Sequence, residues 1–148
     1  MTAEFRFHTP IKVRYDETDR QGHVNFGHYL FYFDVGITEF MDSIGFGHKE
    51  MKEENTEFLF IESHSNYESF AHWPEILHVH VRIGHVGKRS LRFEFQVRAQ
   101  VDDRLVATGH IVAVTAHSGN FELRSVPERM REAIRRHQGE IPQDPAFS

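Results

Sequence analysis

The sequence contains no cysteine and one tryptophan among its 148 residues. The absence of cysteine excludes disulfide bonds, thiolate metal sites and a cysteine nucleophile, and it is compatible with a reducing compartment. No run approaches the roughly 20 apolar residues that a membrane-spanning helix needs. Residues 1–10 also lack the basic start and apolar core of a signal peptide. We therefore expect a cytoplasmic protein without a membrane partner.

A contiguous basic segment is also missing. The formal net charge is −5, and the 17 Lys and Arg residues are scattered. Nucleic-acid binding needs a positive patch or stripe, so nucleic acid is not an expected partner. The length suits one domain that buries about two-thirds of its unfolded surface. We assign residues 1–137 to this domain and residues 138–148 to a poorly ordered tail, which contains two prolines and few apolar residues.

Apolar periodicity predicts an α+β architecture. Residues 6–16 alternate as a first strand, and Pro10 places the start of that strand at a sheet edge. From Gly27 to Ile44, apolar residues recur at three- and four-residue steps and cover most of the helix surface. Other structure must therefore surround this helix. Residues 48–57 are charged and predict a loop or a short exposed turn.

Four segments with a two-residue period follow, at residues 57–69, 76–87, 90–102 and 104–117, with turn residues between them. Their regular spacing predicts an antiparallel meander. Pro127 suits the first turn of a last helix that reaches about Arg136.

The densest group of polar and turn residues lies at residues 15–29, immediately before the long helix. It contains Asp19, Gly22, His23 and Asn25, spaced as Asp-x-x-Gly-His-Val-Asn. Backbone N–H groups in a first helical turn have no intrahelical partner, and the helix dipole adds partial positive charge there. One end of one helix could thus supply both a carboxylate and donors that polarise a carbonyl group.

This motif resembles the start of acyl-CoA thioesterases of the hotdog fold, in the 4-hydroxybenzoyl-CoA thioesterase-like group. The resemblance extends in the same order over roughly residues 8–137, through the segments 13–15, 29–30, 87–90, 106–114 and 126–128. It implies an antiparallel sheet wrapped around a long central helix. It also implies that two sheets join edge to edge, with active sites at the subunit interface, so we expect a homodimer or a homotetramer.

The resemblance suggests catalytic roles for individual residues. Asp19 matches the catalytic carboxylate of the family, which acts either as a nucleophile or as a base that activates water, and both roles stay open. Without the resemblance, an Asx turn or a helix N-terminal acid would be an equally typical role for it.

The N–H groups of Phe26 and Gly27 match the donors to the thioester oxygen. One family branch carries a histidine at position 26, which this chain lacks. His23 either orients Asp19 or water, binds substrate, or forms a structural hydrogen bond.

Candidate substrate-binding residues flank the motif and lie at a later turn. Tyr15 precedes Asp19, and Asn25 is either a helix cap or a substrate contact. Lys88, Arg89 and Ser90 follow a glycine at a predicted strand turn. They either bind a phosphate of CoA or are ordinary residues of an exposed turn.

Other polar residues predict no separate chemistry. Asp16 and Glu17 are interpreted as surface or turn acids. The chain has 12 histidines, and His78 and His80 share a strand face, but no spacing such as His-x-x-x-His is present. We therefore expect neither a metal nor another cofactor. No Gly-x-Ser-x-Gly or P-loop motif occurs.

Together these features predict an acyl-CoA thioesterase that releases a free acid and CoA. One alternative is a non-catalytic acyl-CoA-binding module, which would keep the pocket and the basic turn but would not need Asp19. The other is a hotdog dehydratase acting on hydroxyacyl thioesters, which would need its histidine and acid in different places.

Overall fold

The computed structural model describes residues 5–141. Within that range, five strands form one antiparallel sheet: β1 Phe7–Lys12, β2 Thr56–Tyr67, β3 Ile76–Val86, β4 Ser90–Ala99 and β5 Leu105–His117. The helices of the same range are α1 Tyr29–Ser43, α2 His48–Glu53 and α3 Glu128–Gln138. The predicted α+β class is confirmed. Gln138, which was predicted to begin a poorly ordered tail, is the last residue of α3, and its side chain hydrogen-bonds both backbone groups of Ile83. Residues 142–148 of the predicted tail lie outside the described range, as do residues 1–4.

The order of strands across the sheet is β1-β3-β4-β5-β2, with every neighbouring pair antiparallel. Strands β3, β4 and β5 form a meander as predicted, and all four later strands begin and end within three residues of the predicted bounds. The meander prediction is wrong for β2, which pairs with β5 at the far edge. A two-residue period reports the faces of a strand and not its neighbours, so it could not locate β2.

Helix α1 packs across one face of the sheet. Its buried face includes Phe33 and Gly36. The Phe33 ring stacks on Phe95 of β4, with centroids 4.3 Å apart. A Cβ atom on Gly36 would lie 2.9 Å from Val81 and 3.0 Å from Val79, so a side chain there would push the helix away from β3. The expectation that a sheet covers the apolar helix is confirmed on this face.

Two local predictions need correction. The first strand ends at Lys12 and not at residue 16, because the chain turns into a 3-10 turn at Tyr15–Glu17. Residues 48–53 form the short helix α2, where a loop or a turn was predicted. The N–H of Gly47 donates to the Glu50 carboxylate at 2.9 Å and caps this helix.

The stacked Phe33 gives a test of the packing of α1. Phe33 is fully buried, so Phe33→Ala should lower the free energy of unfolding by about 3–5 kcal/mol through lost burial and a cavity. Glu39→Ala, on the exposed face of the same helix, should change it by less than about 0.5 kcal/mol. Urea unfolding followed by circular dichroism, at one protein concentration, measures both. Equal effects would contradict the described packing.

Candidate active site

Residues 18–24 form a tight turn, called here the Asp19 turn. The Asp19 N–H donates to the His23 carbonyl at 2.7 Å, and the Gly22 N–H donates to the Asp19 carbonyl at 2.9 Å. Gly22 has φ +84°, a conformation that glycine adopts without the steric cost of a Cβ atom. Thr18 and Val24 pair across the base of the turn. The chain thus reverses between β1 and α1.

The Asp19 carboxylate is held by backbone donors on one side. Its Oδ1 accepts the Gln21 N–H at 2.9 Å and the His23 N–H at 3.3 Å. For Oδ2, the described part of the chain offers no hydrogen-bond donor, and the side chain is exposed. Asp19 therefore forms an Asx turn and still presents one carboxylate oxygen.

Asn25 caps the turn that leads into α1. Its Oδ1 accepts the Gly27 N–H at 2.9 Å, so Asn25 has the first of the two roles left open for it, and contact with substrate stays a prediction. This cap uses the Gly27 N–H, which is one of the two predicted donors to the thioester oxygen. The Phe26 N–H has no acceptor among residues 5–141. Of the two candidate donors, the Phe26 N–H is therefore the one available to bind a thioester oxygen.

The His23 side chain does not hydrogen-bond Asp19. Its ring stacks flat on Phe70, with centroids 3.8 Å apart and an angle of 14° between the planes. It also meets the ring of His72 edge-on at 5.0 Å. Nδ1 is buried and has no hydrogen-bond partner in the described part of the molecule. His23 contacts Asp19 through its backbone N–H and carbonyl.

Glu17 is a turn acid, one of the two roles predicted for it, and lies in the 3-10 turn Tyr15–Glu17. Its carboxylate is 15% exposed and accepts the Tyr32 hydroxyl at 2.8 Å and the Arg14 N–H at 2.9 Å. Its carbonyl accepts the Asn25 N–H. Burial, followed by the hydrogen bond to Glu17, raises the pKa of Tyr32. Glu17 thus ties the chain before the Asp19 turn to α1, and no local sequence signal indicates this long-range contact.

Exposed aromatic residues lie on the segments that adjoin the Asp19 turn. Tyr15 is 74% exposed and meets the ring of Trp73 edge-on at 5.7 Å. After the turn, the Phe26 carbonyl accepts the Tyr67 hydroxyl at 3.1 Å. Sequence reasoning selected Tyr15 but missed Trp73 and Tyr67, which belong to later segments of the chain. Exposed rings on the segments that adjoin the turn suit a ligand that carries an apolar group.

Lys88 and Arg89 lie in the turn between β3 and β4, and Ser90 is the first residue of β4. The Asp19 turn lies at the opposite end of β3, because His23 pairs with His72, just before that strand. At about 3.3 Å per residue, the 11 residues of β3 span roughly 33 Å or more. The structure therefore does not bring the basic turn to Asp19 within one protomer.

A groove opens between the C-terminal half of α1, α2 and the start of β2. Its volume is about 690 Å³. Apolar side chains form much of its wall, contributed by Ile37, Met41, Met51, Phe58 and Phe60. No sequence pattern indicated this groove, because its walls come from three separate elements.

Two further structural observations apply to the described range. Among residues 5–141, no three His, Asp or Glu side chains are arranged so that they could hold a metal ion. None of the helices in this range is long and apolar enough to cross a membrane.

Comparison with known sequences identifies the family. The model of the Thioesterase-like superfamily matches residues 13–134. A protein of Aquifex aeolicus, which carries the provisional name of an esterase, is 24% identical over 111 residues, or 70% of this chain and 87% of that protein.

Solved structures share the fold. The DHNA-CoA thioesterase from Staphylococcus aureus superimposes with a TM-score of 0.80 at 19% identity, over 92% of this chain and 96% of that chain. A second Staphylococcus aureus protein, solved in complex with CoA, gives a TM-score of 0.82 at 18% identity, over 93% and 87% of the two chains. The predicted hotdog fold is thus confirmed.

The family match begins just after β1 and ends within α3, so it includes strands β2 to β5, α1 and the candidate active site. The prediction of a thioester hydrolase is confirmed at the level of the family. This chain belongs to the Thioesterase-like superfamily.

Proposed function

We propose that this protein hydrolyses acyl-CoA thioesters, with Asp19 and the Phe26 N–H acting on the same thioester group. The observation that carries the proposal is the pair of open groups beside α1: one carboxylate oxygen of Asp19 and the uncapped N–H of Phe26. The neighbours named for a CoA thioester or solved with CoA support the choice of CoA esters.

The Phe26 N–H would bind the thioester carbonyl oxygen. A backbone donor is fixed in place by the fold, so it stabilises the charge that develops on this oxygen without reorganisation. The dipole of the 15-residue helix α1 adds to this effect near its N-terminus. The Asn25 cap supports this role, because it holds the 3-10 turn Phe26–His28 and leaves the Phe26 N–H open.

Asp19 would attack in one of two ways. As a nucleophile, its open oxygen bonds to the carbonyl carbon, the C–S bond breaks, and the CoA thiolate takes a proton from water. Water then hydrolyses the resulting anhydride to give the acid and restore Asp19. As a base, Asp19 accepts a proton from the water that attacks the carbonyl carbon, the C–S bond breaks, and the CoA thiolate takes up a proton. Both routes yield a free acid and CoA.

A second copy of the chain would complete the site. The edge of β2 and the outer face of α1 are open in one protomer and carry exposed apolar side chains, namely Phe31, Val35, Phe60 and Ile61. An open strand edge is a template for pairing. A two-fold axis that pairs β2 with its copy places opposite ends of the two sheets side by side. The partner's basic turn and groove would then approach this protomer's Asp19.

The central prediction concerns the charge of Asp19. Asp19→Asn keeps an oxygen that can accept the Gln21 and His23 N–H groups but cannot attack or take a proton, so kcat should fall by about 10²-fold or more. Thiol release over a panel of acyl-CoA esters measures kcat, and thermal melting checks the fold. Asp16→Asn, a matched change at an exposed acid, should leave kcat within about twofold. Equal rates for the parent and Asp19→Asn would make Asp19 a structural turn residue.

A second prediction removes the proposed donor itself. Phe26→Pro deletes the N–H, and proline is favoured at a first helical position. Asn25 has φ −60° and ψ 133°, which suits a residue before proline. Relative to Phe26→Ala, which loses the ring but keeps the N–H, Phe26→Pro should lower kcat by about 10²–10³-fold. If the two variants have the same kcat, the thioester oxygen binds elsewhere.

The third prediction tests the partner's basic turn. Replacing Lys88 and Arg89 by alanine should raise KM for CoA esters with a smaller change in kcat, because phosphate binding is remote from the reacting carbon. Short thioesters without the nucleotide serve as the control substrate and should show an unchanged KM.

Light scattering should give at least a dimer at micromolar concentration. An active monomer would remove the shared site.

A further inference from the structure

Arg104 links the turn between β4 and β5 to residues 70–75, and these residues contact the Asp19 turn. One guanidinium nitrogen donates to both oxygens of Asp102, at 3.0 and 2.8 Å. The other donates to both oxygens of Glu75, each at 2.9 Å, and to the Phe70 carbonyl at 2.9 Å. The Glu75 carboxylate also accepts the His72 N–H at 2.8 Å. Arg104 thus fixes both ends of residues 70–75, called here the support loop.

The support loop is the surface against which the Asp19 turn packs. The Phe70 ring stacks on the His23 ring at 3.8 Å. The Val24 N–H donates to the Ala71 carbonyl at 2.9 Å, and His23 pairs with His72 as in a two-stranded sheet. Three consecutive residues of the loop therefore hold two consecutive residues of the turn.

His23 passes this constraint to the carboxylate. Its N–H donates to Asp19 Oδ1 and its carbonyl accepts the Asp19 N–H. A shift of the support loop would move His23 and change the direction of the open Asp19 oxygen. Arg104 itself makes no hydrogen bond to Asp19 in the described structure.

We propose that Arg104 is a positioning residue, which sets the direction of the Asp19 carboxylate through the support loop and the His23 backbone. The inference rests on the proposed role of Asp19. The planar guanidinium group suits the task, because it presents several donors in a fixed fork, whereas a lysine ammonium is a single point charge on a flexible stem.

The charges of the network agree with this role. Burial acts to raise the pKa of Glu75, but the hydrogen bonds from Arg104 and from the His72 N–H hold that pKa below its usual value. The hydrogen bond to Glu75 in turn raises the pKa of Arg104. Both groups therefore stay charged at neutral pH, and the contact persists under assay conditions.

The decisive variants are Arg104→Lys and Arg104→Ala. Each should lower kcat by about 10-fold or more, because a small displacement of a reacting group is costly, and KM for the acyl-CoA should stay within about twofold. Arg104→Lys keeps the charge beside Glu75 and guards against misfolding. Ethylguanidinium at millimolar concentration should restore part of the kcat of Arg104→Ala.

Arg98→Ala is the matched control. Arg98 lies before the same β4–β5 turn, is 24% exposed against 29% for Arg104, and donates to the Asp103 carbonyl at 2.8 Å. It makes no hydrogen bond to the support loop within residues 5–141. Its kcat should stay within about twofold of the parent. An equal loss in Arg98→Ala would assign the effect to general destabilisation and overturn the proposal.

A second readout does not depend on catalysis. Trp73 is the one tryptophan of the chain, belongs to the support loop and is 52% exposed. Acrylamide should quench its fluorescence faster in Arg104→Ala than in the parent or in Arg98→Ala. Faster quenching with unchanged kcat would show that the loop is loosened but does not position Asp19. That result would overturn the proposal, and so would an unchanged kcat by itself. A parent that hydrolyses no acyl-CoA would remove the proposed function and the inference together.

Discussion

The close packing of α1 on the sheet is the constraint on which the rest of the structure depends. Gly36 allows the helix to approach Val79 and Val81 of β3, and Phe33 stacks on Phe95 of β4. The helix lies in the connection between β1 at one sheet edge and β2 at the other. The same placement fixes the N-terminus of α1 beside the Asp19 turn.

The candidate active site is built mainly from backbone groups. Backbone donors hold one oxygen of Asp19, and the Asn25 side chain takes the Gly27 N–H while the Phe26 N–H stays open. Such groups are placed by the fold itself and need few further side chains to orient them. The side chains that do support the site, Glu17 and Arg104, act from a distance through hydrogen bonds to neighbouring segments.

The sequence predicted the parts of the molecule that depend on local pattern. Helix α1, the bounds of the later strands, the Asn25 cap and the place of Asp19 before a helix all follow from periodicity and turn residues. The position of β2, the burial of Glu17 and the separation of Lys88 from Asp19 depend on contacts distant in sequence. The periodicity of apolar residues predicts which face of a helix or strand is buried, but it does not predict which segment packs against that face. The cytoplasmic location and the subunit number remain predictions.

The most direct test is a structure of the protein with an acyl-CoA analogue in which a methylene group replaces the thioester sulfur. The resulting ketone cannot be hydrolysed but keeps the carbonyl group. The account predicts its oxygen about 2.9 Å from the Phe26 nitrogen. It also predicts its carbon about 3.5 Å from the open Asp19 oxygen, or one water molecule away from it. A ketone oxygen bound to other donors, with Asp19 facing solvent, would contradict the account.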